Sequence, residues 1–117
     1  MPRLLRFSQL SPSRQALVRL CQSTNYGHIQ DLIVRDQEPI LTSPPPVVLA
    51  DVRLDAEERP RDELAAADFA LCAEVGRLMS LLDKIRNGKI SKIEIRAGIP
   101  RRIIIESRPT EAGELIG

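Results

Sequence analysis

The residues able to do chemistry in this chain are few and scattered. His28 is the only histidine, and it follows directly on a helix-stop signal, Asn25-Tyr26-Gly27. A histidine so placed has the character of a surface or capping residue; a general base needs a second polar group aligned with it. Cys21 and Cys72 stand far apart, with no CxxC or Cys/His spacing. They read as two buried, reduced thiols rather than as metal ligands or a disulfide. Asp55, Glu57, Glu58, Asp62 and Glu63 could attract a cation, but an acidic connection of this kind is ordinarily just solvated. The glycines occur singly, so no phosphate-cradling loop is present. No catalytic residue, metal or cofactor is expected, and the chain is read as a non-enzyme.

Positive charge is the one chemical feature that is concentrated. Lys89, Lys92, Arg96, Arg101, Arg102 and Arg108 place six bases on one short stretch near the C-terminus. If that stretch is a hairpin, Lys89, Lys92, Arg96, Arg102 and Arg108 are the candidates for contacting nucleic acid, because a two-stranded ribbon can enter a major groove. Arg101 falls in register with inward residues and should matter less. Glu94 and Glu106 sit among these bases, so cross-strand ion pairing on a solvated face is the competing account. Phe7, Tyr26 and Phe69 are the only aromatics. None lies on the expected sheet, which disfavours reading of single strands by stacking.

The wider charge pattern is blocked. Residues 1–35 carry five arginines against Asp31, residues 36–74 ten acids against three arginines, and residues 75–108 nine bases against three acids. Two basic segments joined by an acidic one can neutralise each other within a Debye length, roughly 8–10 Å. A length of 117 residues with 43% apolar and 28% charged side chains suits one soluble domain with a modest core. The N-terminus has two arginines but no apolar run of signal-peptide length, and no run suits a membrane span, so a cytoplasmic location is expected.

The elements that must position these residues can be read in order. Ser11-Pro12 is a helix start, the serine as N-cap and the proline pre-set for the first turn. Leu17, Leu20, Cys21 and Thr24 form one stripe, and Gly27 is read as the left-handed C′ residue. His28 to Arg35 reads as a strand that turns at Asp36–Pro39. Ser43-Pro44-Pro45-Pro46 keeps the return short, and Val47–Leu54 recovers strand character, either as a displaced partner or as cover for a sheet edge. A second helix begins at Asp62 or Asp68, with Cys72, Val75, Met79 and Leu82 on its inner stripe, widened by Leu71, Leu78 and Ile85. It stops at Asn87-Gly88, where Gly88 is expected to hold a left-handed cap. A second hairpin follows, turning at Ala97-Gly98, with Ile93 and Ile95 sharing a face with Ile103 and Ile105. Residues 109–117 read as a flexible tail.

Sliding Leu78–Pro100 back by 61 positions lays it without a gap on Leu17–Pro39. Gly88 meets Gly27, Ile90 meets Ile29, Arg96 meets Arg35 and Pro100 meets Pro39. The chain thus reads as a tandem duplication, with repeats at about 11–54 and 62–108 within one domain over 1–117. One hairpin and one helix leave a sheet face uncovered, so neither unit should fold alone. The expected fold is α+β: a two-layer arrangement of duplicated helix–β-hairpin units (αββ-αββ) with pseudo-twofold symmetry. Two helices would cover one face of a mainly antiparallel sheet.

The stretch Asn25-Tyr26-Gly27-His28-Ile29 followed by Leu32-Ile33-Val34-Arg35-Asp36 resembles the YezD-like family of very small bacterial proteins, over about 25 residues in each repeat. That resemblance implies a helix, an aromatic-Gly step and a hairpin turning at Asp-Gly. Here Gln37 follows Asp36, and Asn87 replaces the aromatic in the second copy. The resemblance carries no activity and no catalytic residue with it. The sequence therefore supports a non-enzymatic interaction or accessory module acting through a sheet edge or hairpin surface. A protein partner or a second copy is the expected ligand, with no membrane involved; nucleic-acid binding through the second hairpin is the alternative.

Overall fold

A computed structural model describes residues 5–55 and 66–106. A 3₁₀ turn over Phe7–Gln9 leads into helix α1, Pro12–Thr24, whose Ser11 side chain accepts a hydrogen bond from the Arg14 N–H at 3.3 Å. Strands β1 (Gly27–Arg35), β2 (Glu38–Ile40) and β3 (Val47–Ala50) follow, then helix α2 (Ala73–Ile85) and strands β4 (Gly88–Arg96) and β5 (Ile99–Glu106). The fold is α+β, with two helices and one five-stranded antiparallel sheet in the order β2–β1–β4–β5. β3 pairs with β1 beyond the end of β2. Val47–Ala50 is thus the displaced partner of the first hairpin. None of the helices among the described residues is long and apolar enough to cross a membrane.

The two central strands, β1 and β4, run antiparallel and meet aliphatic to aliphatic, Ile29 against Ile93 and Leu32 against Ile90. These four, with Val34 and Ile95, are essentially removed from solvent. They share one core with Leu17, Val18 and Cys21 of α1 and Leu78, Met79, Leu82 and Ile85 of α2. Both helices therefore bury their apolar stripes against the same face of the sheet, as the 3.6-residue periodicity requires. On α1 the stripe is rotated slightly from expectation. Val18 and Gln22 are buried, whereas Leu20 and Thr24 are only partly so.

Each helix ends in the same unusual way. The C-cap residues Asn25 (φ 66°, ψ −66°) and Arg86 (φ 59°, ψ −65°) sit in the γ-turn conformation. Their flanking residues close the turn, Tyr26 N–H to Thr24 O at 2.7 Å and Asn87 N–H to Ile85 O at 2.6 Å. The chain then reverses straight into a strand. The glycines expected to make these stops do something else. Gly88 has no left-handed backbone and simply opens β4; the positive φ falls two residues earlier, at Arg86. A Cβ on Gly88 would lie 3.1 Å from the Ile85 Cγ2 methyl, which is able to give way. Gly27 has φ 152°, and a Cβ there would lie 2.0 Å from the Leu49 carbonyl oxygen. It is needed for the close approach of β3, not for a cap.

Both hairpins turn through two residues of positive φ, Asp36-Gln37 at 52° and 68° and Ala97-Gly98 at 54° and 74°. This is the twist that a two-residue hairpin loop prefers. Each turn also reaches the opposite helix stop. Gln37 N–H donates to Arg86 O and Gly98 N–H donates to Asn25 O, both at 2.8 Å. In the second hairpin Ile93 faces Ile103, but Ile95 faces Pro100 and Ile105 faces Ile90, because register shifts interrupt the ladder twice.

The second helix starts later than expected. Asp68 does not cap it: its carboxylate accepts from Arg6 Nε at 2.8 Å and from the Ser8 N–H at 2.9 Å. Residues 69–71 instead pair with the lead-in, through Phe7 N–H to Phe69 O and Leu71 N–H to Leu5 O. Cys72 is the N-cap residue of α2 and is exposed, off the inner stripe where it was expected. Most of the acidic connection and the whole 109–117 tail lie outside the described residues.

Gly27→Ala should therefore cost about 3 kcal/mol or more, from combined backbone strain and collision with β3. Gly88→Ala should cost about 1 kcal/mol or less. Urea unfolding of the two variants tests this order; equal losses would show that β3 does not approach as described.

Candidate interaction surfaces

The face of the sheet turned away from the helices carries Lys89, Lys92, Arg96 and Arg102, and two of these four are already partnered. Lys89 Nζ lies 3.5 Å from Asp31 and 3.5 Å from Glu106. Arg96 Nε lies 3.3 Å from Glu94 on its own strand, and the same carboxylate lies 4.0 Å from His28 Nε2. Arg101 leaves this face altogether and binds Glu74 in the first turn of α2. Exposed pairs of this kind contribute at most about 1 kcal/mol each. They nevertheless convert a run of positive charge into a mixed surface. Lys92 and Arg102 have no ion pair among the described residues. With Glu94 and Ile104 they line a shallow depression of about 70 Å³. Arg108 lies outside the described residues. Gly98 stands in the second turn, and Gly27 and Gly88 open β1 and β4.

Among the described residues the sheet has two uncovered edges. One is formed by β2 and, beyond it, β3, all four of whose residues are exposed. Val47, Val48 and Leu49 keep 39–47% of their surface in water, and the chain continues through Val52 and Leu54, which are more exposed still. Tyr26 is likewise exposed just before β1, and its carbonyl accepts from the Asp51 N–H just after β3. The side chains on both faces of β3 are apolar, and all of them are exposed. The other edge is β5, where Ile104 is 49% exposed on the outer face.

A third feature is an apolar cleft of about 150 Å³ between α1, the 69–72 segment, α2 and the second hairpin turn. Its walls include Cys21, Cys72, Leu71, Val75 and Pro100. Phe7 and Phe69 stack beside it with ring centroids 4.9 Å apart, and the Arg19 guanidinium lies 4.3 Å from the Phe7 ring. Arg6, followed by the Ser8 N–H, holds the Asp68 carboxyl down to about 2, so the clasp keeps its charge through mild acid. Burial pushes the Cys21 thiol up to about 12, which leaves it protonated and unreactive at neutral pH. No acid–base pair lines the cleft. Among the described residues no three His, Cys, Asp or Glu side chains gather closely enough to hold a metal ion.

The sequence points to a sheet edge as an acting surface without assigning it to Val47–Leu49. Its signal was present, since Val47-Val48-Leu49 places apolar residues on both faces of a strand that only one layer of helices can cover. Arg14 gave no such signal. It joins α1 to the first turn and to α2 through Gln37 O at 2.9 Å, Asp83 at 2.6 Å and Glu38 at 3.4 Å. Neither a protein-family model nor a curated protein or solved structure matches the chain.

In the native protein a thiol reagent at pH 8 should modify Cys72 and spare Cys21, so one thiol reacts before unfolding and two after it. Rapid modification of both in native conditions would contradict the burial of Cys21.

Proposed function

We propose that this chain is a non-enzymatic interaction module, working through the edges of its sheet and built from two copies of one helix–hairpin unit. The observation that carries the functional reading is the β3 edge. A strand with one side hydrogen-bonded to β1 offers free N–H and C=O groups on the other. Val47, Val48 and Leu49 add apolar side chains that remain exposed among the described residues. Backbone ladder bonds give such an edge affinity for an extended segment, and pockets or apolar rows give it selectivity.

The duplication is supported by the pairing itself. Under the 61-residue offset, the pair Ile29–Ile93 becomes Ile90–Leu32, which is also a pair, and Gly27–Ile95 becomes Gly88–Val34, another. The γ-turn caps correspond, as do the positive-φ turns and the two crossed bonds from turn to cap. The departure is in the returning strand. The partner of residue 28 is Leu49, whereas the partner of Lys89 is Glu106. The first unit therefore holds four extra residues between β2 and β3.

Selection of random extended peptides on the immobilised protein tests the edge. Enriched peptides should alternate apolar residues, lose binding when alternate backbone amides are N-methylated, and bind Val47→Lys/Leu49→Lys about tenfold more weakly. Both positions are exposed, so stability should change by about 0.5 kcal/mol or less each. No enrichment over a blank surface would sink the reading.

A second reading, nucleic-acid binding, rests on Lys92 and Arg102, which share a face and lack ion pairs among the described residues. On this reading Lys92→Ala/Arg102→Ala should flatten the log–log salt dependence of duplex binding by about two units, at roughly 0.9 per phosphate contact. Lys89→Ala/Arg96→Ala should change it little. Absence of any retardation of random duplex at low salt ends this alternative.

A further inference from the structure

β5 carries no extra residue of its own from Arg102 to Glu106: one register shift falls at Arg101, before this segment, and the other, between Ile90 and Lys92, puts its extra residue on β4. Along this segment Arg102, Ile104 and Glu106 face outward, while Ile103 and Ile105 face the core side. The outer order is base, apolar, acid, and the inner order is apolar, apolar. Read in reverse with the signs exchanged, it is the same sequence. That is the condition for a strand to pair with itself antiparallel across a twofold axis, where one patch must complement itself.

We propose that β5 is a homodimer edge, on which a second copy of this chain adds its own β5 antiparallel, centred on Ile104. This rests on the reading that the sheet edges are the working surfaces, and it names the partner at one of them. In this register Arg102 faces Glu106 of the second copy at one end and Glu106 faces Arg102 of the second copy at the other. The two Ile104 side chains meet on the axis, and Ile103 faces Ile105 on the core side. Directly opposed residues in an antiparallel pair must share a face, so the alternatives step by two. Centring on Ile103 sets Arg102 against Ile104. Centring on Ile105 sets Glu106 against Ile104. Both leave charges facing isoleucine, so the ion pairs select the one register. Arg102 makes no ion pair among the described residues, although Glu94 stands opposite it on β4, and Glu106 lies 3.5 Å from Lys89. Arg101 is held toward Glu74 on α2 and leaves the edge clear. The β3 edge has no such code, because Val47, Val48 and Leu49 carry no charge to fix a register.

Sedimentation equilibrium of the full chain from about 1 μM to about 1 mM spans the range for an interface of this small size. A monomer–dimer equilibrium is expected. Arg102→Glu or Glu106→Arg alone sets like charges opposite at both ends and should weaken it about tenfold or more, while the double reversal returns it to within about threefold of wild type. In a Cys72→Ser background, Ile104→Cys should give an oxidised dimer and Val47→Cys should not, with far-UV circular dichroism confirming that each variant is folded. A protein that stays monomeric throughout overturns the proposal, as does a dimer indifferent to charge reversal, which must use another surface. Peptide capture at β3 by a monomeric protein would leave the interaction reading in place while this inference falls. Loss of both would remove the two together.

Discussion

Antiparallel pairing of β1 with β4 is the constraint on which the remaining elements depend. Each of these strands belongs to a hairpin too small to bury its own apolar face. Joined at the centre, they bring Ile29, Leu32, Val34, Ile90, Ile93 and Ile95 into one continuous surface that α1 and α2 cover together. The pairing also fixes where the ends go. The turn of each hairpin donates an N–H to the cap carbonyl that ends the other helix, through Gln37 to Arg86 and Gly98 to Asn25. Those carbonyls would otherwise need water at the tight helix-to-strand reversal. Sheet register and helix length are thus tied to the same two bonds.

The remaining attachments are not alike in the two halves, and they determine which surfaces stay open. Arg14 binds the first turn to both helices, and Ser11 and Ser13 add hydroxyl bonds to Glu38. Under the proposed 61-residue offset, the place of Arg14 is taken on α2 by Val75, a core residue. There the 69–71 segment, clasped to the lead-in by Arg6–Asp68 and the Phe7–Phe69 stack, closes over the helices instead. Among the described residues, polar fastening on one side and an aromatic clasp on the other leave β3 and the outer face of β5 exposed.

Local signals were most legible where one residue type has one job. Ser11-Pro12 began a helix, Ala97-Gly98 turned a hairpin, and the leucine and isoleucine stripes found the core. The errors came where a residue had a distant partner. Asp68 looks like a helix cap in isolation, but Arg6 and Ser8 claim its carboxylate across the chain. Gly27 and Gly88 look like stops, yet the reversal occurs earlier at Asn25 and Arg86. Gly27 is required by a strand that lies twenty residues later. Counting bases on the second hairpin also overstated its charge, because Asp31 comes from β1 and Glu74 from α2. Strand neighbours of that kind cannot be read from the hairpin alone.

The excursion between β2 and β3 bears on how large an assembly this fold can build. A sheet made of two identical halves would offer the same outer strand twice. Any strand able to pair with itself would then propagate in both directions and give an endless ribbon. Here Leu41–Pro46 interrupts one outer strand with three prolines and leaves only the four residues of β3 beyond them. One flank keeps a long ladder, and on the other β3 is short and uncharged. Association through β5 would therefore close at two copies and leave the second flank out of the repeat. On the proposed duplication, the four extra residues would give a potentially polymerising sheet a defined end.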